Sequence, residues 1–196
     1  MMGEIKRKEL THMVTESRYL QTLIKDVMDN SESNSWELAV TEWEISDVEE
    51  DEQLEESCIC GKEHLRYLFT IENQLNGRVL YAIGSSCIKK FERDDLKHEV
   101  DVKEQLFKLL HAVEKDQFLP LSSEFFSRKL LLYLYEIGAF KPTKWNDFRP
   151  EKDYKFMLDM FNKRKRTEKQ DKKATAIILG SIKPFLQVEL AGKVKK

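Results

Sequence analysis

Apolar positions change their period several times along this chain, and each change marks an element. Between residues 9 and 30, Leu10, Met13, Leu20, Leu23, Ile24, Val27 and Met28 recur at helical spacing, which predicts an amphipathic helix closed by Asp29-Asn30-Ser31. Trp36, Leu38 and Val40 then alternate, as do Trp43 and Ile45 after a one-residue slip. That pattern predicts a bulged strand or two short strands. From Leu65, the apolar residues Leu65, Tyr67, Phe69 and Ile71 alternate with Arg66, Thr70 and Glu72, with Leu68 as the exception. Asn76-Gly77 is the dipeptide best suited to a hairpin turn, and residues 79–83 return as a β-rich run. Gly84 ends that run, and Ser85 or Ser86 is placed to cap a short helix bearing Cys87, Ile88 and Phe91.

The second half is patterned for helices. Residues 92–95 are charged and read as a turn, and residues 102–117 follow as a helix with Leu106, Leu109, Leu110 and Val113 on one side. Leu119-Pro120 breaks it, and Ser122 or Ser123 is expected to cap a helix running through Phe125, Phe126, Leu130, Leu131 and Leu134 to Ile137, with Gly138 as its C-terminal cap. Residues 142–149 form a loop carrying Trp145 and Phe148, and Pro150 opens a helix with Tyr154, Met157, Leu158 and Phe161. Thr167-x-x-Gln170 is a capping box for a last helix through Ala174, Ile177, Ile178 and Ile182, with Pro184 expected to end it and the basic tail from Ala191 to fray. The expected fold is α+β: an N-terminal helix, a small antiparallel β-hairpin or sheet, and a mainly helical C-terminal half. The expected division is an N-terminal helix plus hairpin module over 1–98 and a helical region over 99–196.

All three cysteines fall in the hairpin segment. Cys58 and Cys60 precede the first strand and Cys87 follows the second, so the hairpin brings them to the same open end. Gly61 can take the left-handed backbone that turns neighbouring amides toward the sulfurs. Zinc takes four ligands in a tetrahedron, and thiolates are among its preferred donors. The spacing therefore predicts a zinc-braced hairpin held by Cys58, Cys60 and Cys87. His64 is the nearest fourth ligand, giving C-x-C-x3-H-x22-C, with His98, His111 or a carboxylate as alternatives. Ordinary buried thiols and redox chemistry are the competing readings of the same three residues.

The matching residues Cys58, Cys60, Gly61, Ile71, Asn73, Gly77, Gly84, Ser85, Cys87, Ile88 and Phe91 form the pattern C-x-C-G … I-x-N … G-S-x-C-I-x-x-F. This pattern resembles a short zinc-ribbon-like segment of uncharacterised proteins from Gram-positive bacteria, their phages and their plasmids. The resemblance covers about a sixth of the chain; it implies a metal site and a phage or mobile-element origin, and it implies no activity.

Charge changes the picture in two places, although the net charge over 196 residues is only −2. Residues 42–56 carry nine acids and neither lysine nor arginine, which reads as a solvated loop or as a local mimic of DNA phosphates. Residues 163–173 carry seven bases (Lys163, Arg164, Lys165, Arg166, Lys169, Lys172, Lys173) against two acids. Together with Lys193, Lys195 and Lys196 they read as a solvated junction, a nucleic-acid contact, or a partner for the chain's own acidic run. Three cysteines without a secretion signal, and no long apolar run, predict a soluble cytoplasmic protein with no membrane contact.

Phosphate-binding loops, dinucleotide turns, paired-histidine metal motifs and nucleophile elbows are absent from the sequence. Cys87 and Arg93 have the C-x5-R spacing of cysteine phosphatases, but Ile88-Lys89-Lys90-Phe91-Glu92 between them reads as a helix with an apolar face, not a phosphate cradle. The expected function is a non-enzymatic cytoplasmic zinc-binding protein that contacts nucleic acid or a host protein. The alternative is a phage or mobile-element inhibitor of a host defence or nucleic-acid enzyme that acts by direct binding.

Overall fold

Trp36, Ala39, Val40 and Trp43 stand at i, i+3, i+4 and i+7, and this helical spacing prevails over the alternation of Trp36, Leu38 and Val40. In the computed structural model, which describes residues 18–115, 117 and 119–195, a first helix, α1, is helical over 18–29 with Leu23 and Val27 buried. Residues 9–17, where that helix was also expected, lie outside the described residues. Ser35 then caps α2 (Trp36–Ala39) by accepting from the Leu38 amide, and a 3-10 turn Val40–Glu42 follows. Ala39, Val40 and Trp43 are buried while Leu38 is 60% exposed, whereas a strand here would put Leu38 on the same face as Val40. The predicted strand over 36–40 is therefore a helical turn.

The chain divides into two compact units, Met1–Val100 with Lys193–Lys196 and Asp101–Gly192. The first unit holds a four-stranded mixed sheet of order β3-β2-β1-β4, made of β1 (Trp43–Asp51), β2 (Tyr67–Asn73), β3 (Val79–Ile83) and β4 (Val194–Lys195). β2 pairs antiparallel with both β1 and β3, and β4 runs parallel to β1 with Glu50 opposite Val194. Bulges lie between Ile45 and Asp47 of β1 and between Phe69 and Ile71 of β2. Trp43, Leu68, Phe69, Ile71 and Ile83 are fully buried. The tail expected to fray instead supplies β4, because Lys193 and Lys195 find carboxylates on the strand beside them.

Most of the predicted acidic loop is β1 itself. Glu42, Glu50 and Asp51 are buried, and a buried carboxylate persists only when hydrogen-bonded or paired. Glu50 meets Arg66 Nε at 2.8 Å, Glu44 meets Arg93 at 2.7 Å, Asp47 meets Lys193 at 2.5 Å, and Lys195 lies 3.3 Å from Glu49 and 3.2 Å from Glu56. Arg93 also donates to the Val40 and Trp43 carbonyls and to Asp95, so its guanidinium serves the start of the sheet. Glu42 accepts from the Glu32 and Ser33 amides, both at 2.8 Å, and from Asn73 Nδ2 at 2.7 Å. Asn73 in turn organises the hairpin turn, its side-chain oxygen accepting from the Leu75 and Asn76 amides at 2.9 and 3.2 Å. Gly77 completes that turn with φ of +71°.

Gly84 N-caps the short helix α3 (Ser85–Ile88), so Ser85 is its first residue rather than its cap, and a 3-10 turn Lys89–Phe91 follows. Helix α4 (Asp94–Glu114) begins eight residues before the predicted start at 102, since Leu96 and Val100 are buried and carry the helical period back through the charged run.

In the second unit, α5 (Arg128–Glu136) is capped by Ser127, which accepts from the Leu130 amide. Ser122 instead accepts the Phe126 amide on its carbonyl at 2.9 Å, within a turn preceding the helix. Gly138 follows α5 with φ of +83°, as its capping role requires. Helix α6 (Pro150–Asn162) starts at the expected proline, and α7 (Glu168–Ile177) starts at the expected capping box, Thr167 with Gln170. Pro184 does not end the helical path. A π-helical segment, Ile178–Ile182, leads into α8 (Lys183–Glu189), with the proline in its first turn. The widened turn removes the clash that a proline ring has with the carbonyl four residues before it. α5 packs on α6 and α6 on α7, burying Leu130, Leu131, Leu134, Met157, Ala174 and Ile177.

Burial pushes the Glu42 carboxyl up, but the bonds from Ser33, Asn73 and the Glu32 amide outweigh it and hold the group at about 2, below its ordinary 4.5. A folded value below the unfolded one means a stabilisation fully present above pH 4.5 and lost as pH falls through about 2. Glu42→Gln is expected to cost about 2 kcal/mol near neutral pH, read as a lower urea midpoint. The gap from wild type should close as pH is lowered across that same window.

Candidate metal centre

Between β1 and Cys58 the chain is shaped by one side chain. Asp51 Oδ1 accepts from the Gln53 and Leu54 amides at 3.0 and 3.2 Å, and Oδ2 accepts from the Glu55 and Glu56 amides at 2.8 and 3.0 Å. The Glu56 amide, against burial and with the Glu55, Gln53 and Leu54 amides, holds this carboxyl below the usual carboxylate range. The loop it fixes leads into a tight turn, where Gly61 N bonds Cys58 O at 2.7 Å and Cys58 N bonds Lys62 O at 2.8 Å. Gly61 has φ of +89°. Ile59 N bonds Ala82 O at 2.9 Å, which seats the turn against the end of β3.

β3 then delivers Cys87 to the same place. Leu65 packs against the Gly84 backbone: a Cβ at 84 would sit 2.9 Å from Leu65 Cδ2, so a side chain there would make Leu65 shift. Gly84 N donates to Cys58 Sγ at 3.4 Å. Cys58, Cys60 and Cys87 are all buried, and their sulfurs lie within 4.8 Å of one another. Cys87 Sγ is 3.6 Å from Cys58 Sγ and 3.4 Å from Cys60 Sγ. Sulfurs about 2.3 Å from one ion in a tetrahedron stand about 3.8 Å apart, so the cluster is placed to hold a metal ion.

The electrostatics favour a thiolate. A hydrogen bond from the Cys87 thiol, opposed by burial and aided by the Gly84 and Cys60 amides, brings Cys58 down to about 5. Cys87 is pushed up by that bond and by burial, and Cys60 is pushed up chiefly by burial, against the bond it accepts from the Lys62 amide. These contacts favour the thiolate at Cys58, and the thiolate is the form that binds metals.

His64 lies outside the 4.8 Å cluster. It is exposed, its φ is +61°, and its Nδ1 lies 2.9 Å from Leu54 O. It lines the same cavity as Cys58, Cys87, Ser85 and Ser86, with a volume of about 160 Å³. His98 and His111, both on α4, do not join the cluster either. Asp51 and Leu54 were not legible as parts of this site. A carboxylate within a run of acids reads as solvated, and nothing in the sequence marks it as the cap of a loop.

The basic run lies at the α6–α7 junction and along α7. Lys163 reaches Gln170 at 3.3 Å, Arg166 bonds Asp171 at 2.6 Å and the Met160 carbonyl at 3.0 Å, Lys172 meets Glu168 at 2.6 Å, and Lys173 Nζ sits 4.3 Å from the Phe156 ring centre. Arg164, Lys165 and Lys169 are exposed and have no ion pair among the described residues. No helix of the described residues is long and apolar enough to cross a membrane.

Compared with protein-family models, with curated proteins and with solved structures, the chain matches none of them. What the hairpin segment does hold is a buried cluster of three cysteines that could bind a metal ion.

Asp51→Ala frees four amides and releases the loop that leads into Cys58. Removing such an outer support typically lowers metal affinity 10- to 100-fold. We expect a loss of about tenfold or more, measured by chelator competition on the intact chain.

Proposed function

We propose that the chain is a non-enzymatic zinc-binding protein whose cysteine centre braces the first unit, while the exposed cations of residues 163–173 contact nucleic acid. The observation that carries the metal reading is the convergence of three buried sulfurs from the two ends of one hairpin. Zinc suits the donors, since cysteine sulfurs select it over cations that prefer oxygen. His64 Nε2 is the fourth ligand in this reading. Its Nδ1 rests on the Leu54 carbonyl, the contact by which a metal-binding histidine commonly fixes its tautomer and leaves the other nitrogen to the ion.

Nucleic acid is favoured over a role as an acidic mimic that inhibits another enzyme. The carboxylates at 44, 47, 49, 50 and 56 meet Arg93, Lys193, Lys195, Arg66 and Lys195 inside their own unit. Arg164, Lys165 and Lys169 remain available as cations.

Elemental analysis of protein purified without chelator should find one zinc per chain; finding none would overturn the metal reading. Cys60→Ser should lose the ion and sharply lower the melting temperature, because structural zinc supplies on the order of 10 kcal/mol in small peptide sites. His64→Ala should weaken zinc affinity while leaving the three sulfurs in place. Binding to DNA should weaken steeply with salt, with a log–log slope of about 0.9 per phosphate contact on duplex. A variant carrying Arg164→Glu, Lys165→Glu and Lys169→Glu should lose binding.

A further inference from the structure

The loop between α5 and α6 presents two aromatic rings to solvent. Trp145 is 82% exposed and Phe148 is 71% exposed, yet the backbone beneath them is firmly built. Asn146 is buried; its side chain accepts from the Thr143 amide at 2.8 Å and donates to the Lys141 carbonyl at 2.9 Å and to Asp153 Oδ2 at 2.7 Å. Phe148 N bonds Thr143 O at 2.8 Å. Asp147 and Phe148 both adopt left-handed backbone, with φ of +53° and +57°, a conformation that a bulky side chain enters only when its surroundings impose it. The loop thus presents both rings to solvent on a backbone fixed by hydrogen bonds.

Phe148 also lines a cavity of about 520 Å³ together with Tyr135, Phe140, Arg149, Glu136 and Glu151. Tyr135 is stacked on Tyr154 at 4.7 Å and 14°, and Phe140 meets the same Tyr154 edge-on at 6.2 Å. The inner aromatic lining is therefore fixed by its neighbours. An aromatic cleft of this size with a few polar groups suits a flat heteroaromatic ring. Carboxylates such as Glu136 accept from exocyclic amines of bases. Residues 141–152 carry four cations against two carboxylates; Arg149 and Lys152 pair with Asp147, and Lys144 Nζ lies 4.8 Å over the Trp145 ring, so Lys141 and Lys144 supply the positive charge beside the stacking surfaces.

We propose that this cleft takes one unpaired base of a single-stranded nucleic acid, with Phe148 stacking on it and Trp145 stacking on the next, an assignment that rests on the nucleic-acid reading above. Alternation of aromatic faces and cations is how sequence-tolerant single-strand binding is built. A duplex keeps its bases stacked inside and cannot fill the cleft. The basic run follows directly on the last residue of α6, and the thirteen residues of that helix span about 20 Å. A strand leaving the cleft along α6 would meet the exposed cations.

The test uses the intact chain and fluorescence anisotropy with three labelled probes: a short mixed-sequence single strand, the matching duplex, and a nucleoside monophosphate. The single strand should bind more tightly than the duplex. Trp145→Ala and Phe148→Ala should each weaken single-strand binding by about tenfold or more and leave duplex binding and the urea midpoint unchanged. The Arg164→Glu, Lys165→Glu, Lys169→Glu variant should weaken both strands. If wild type binds the single strand and the two aromatic variants bind it equally well, the cleft assignment falls and the nucleic-acid reading survives. If wild type binds neither strand, both fall. If the monophosphate alone matches the single strand in affinity and loses it in Phe148→Ala, the cleft serves free nucleotides and the single-strand proposal is overturned.

Discussion

The first unit is organised by the need to satisfy carboxylates buried along one strand. Glu42, Glu50 and Asp51 flank or lie in β1 with almost no exposure, and an ionised group in such a place costs several kcal/mol unless its oxygens are occupied. Each is occupied by a different part of the fold. Glu42 gathers the turn after α1 and the turn of the hairpin, Glu50 gathers Arg66 ahead of β2, and Asp51 gathers the loop leading to the cysteines. Removing these contacts would leave charge without solvent, so the sheet, the hairpin turn and the loop leading to the cysteines depend on one another.

The cysteine centre extends this arrangement. Asp51 shapes residues 53–56, Leu54 from that loop presents its carbonyl to His64, and Leu65 beyond it packs on Gly84 in front of Cys87. Backbone hydrogen bonds and packing thus set the positions of all three sulfurs.

The second unit works differently. Its helices bury ordinary aliphatic and aromatic side chains, while its most prominent rings point outward on a loop braced by Asn146. Among the described residues its basic run leaves Arg164, Lys165 and Lys169 exposed and without ion pairs, whereas the C-terminal Lys193 and Lys195 are drawn into the first unit as neighbours of Asp47, Glu49 and Glu56. Charges that looked alike in the sequence thus have opposite uses.

Local chemistry was legible from the sequence alone: the hairpin around Asn76-Gly77, the left-handed Gly61, the proline at the start of α6, the capping box of α7 and the gathering of Cys58, Cys60 and Cys87. Each depends on residues within a few positions, or on a hairpin whose ends must meet. The tertiary structure decided what depends on distant partners. Residues 36–40 turned helical because burial selected Ala39 and Val40 over Leu38. The acidic run became a strand because Arg66, Arg93, Lys193 and Lys195 arrive from elsewhere to neutralise it. The tail became β4 for the same reason, since a lysine's partner up to 146 residues away leaves no trace in its local pattern.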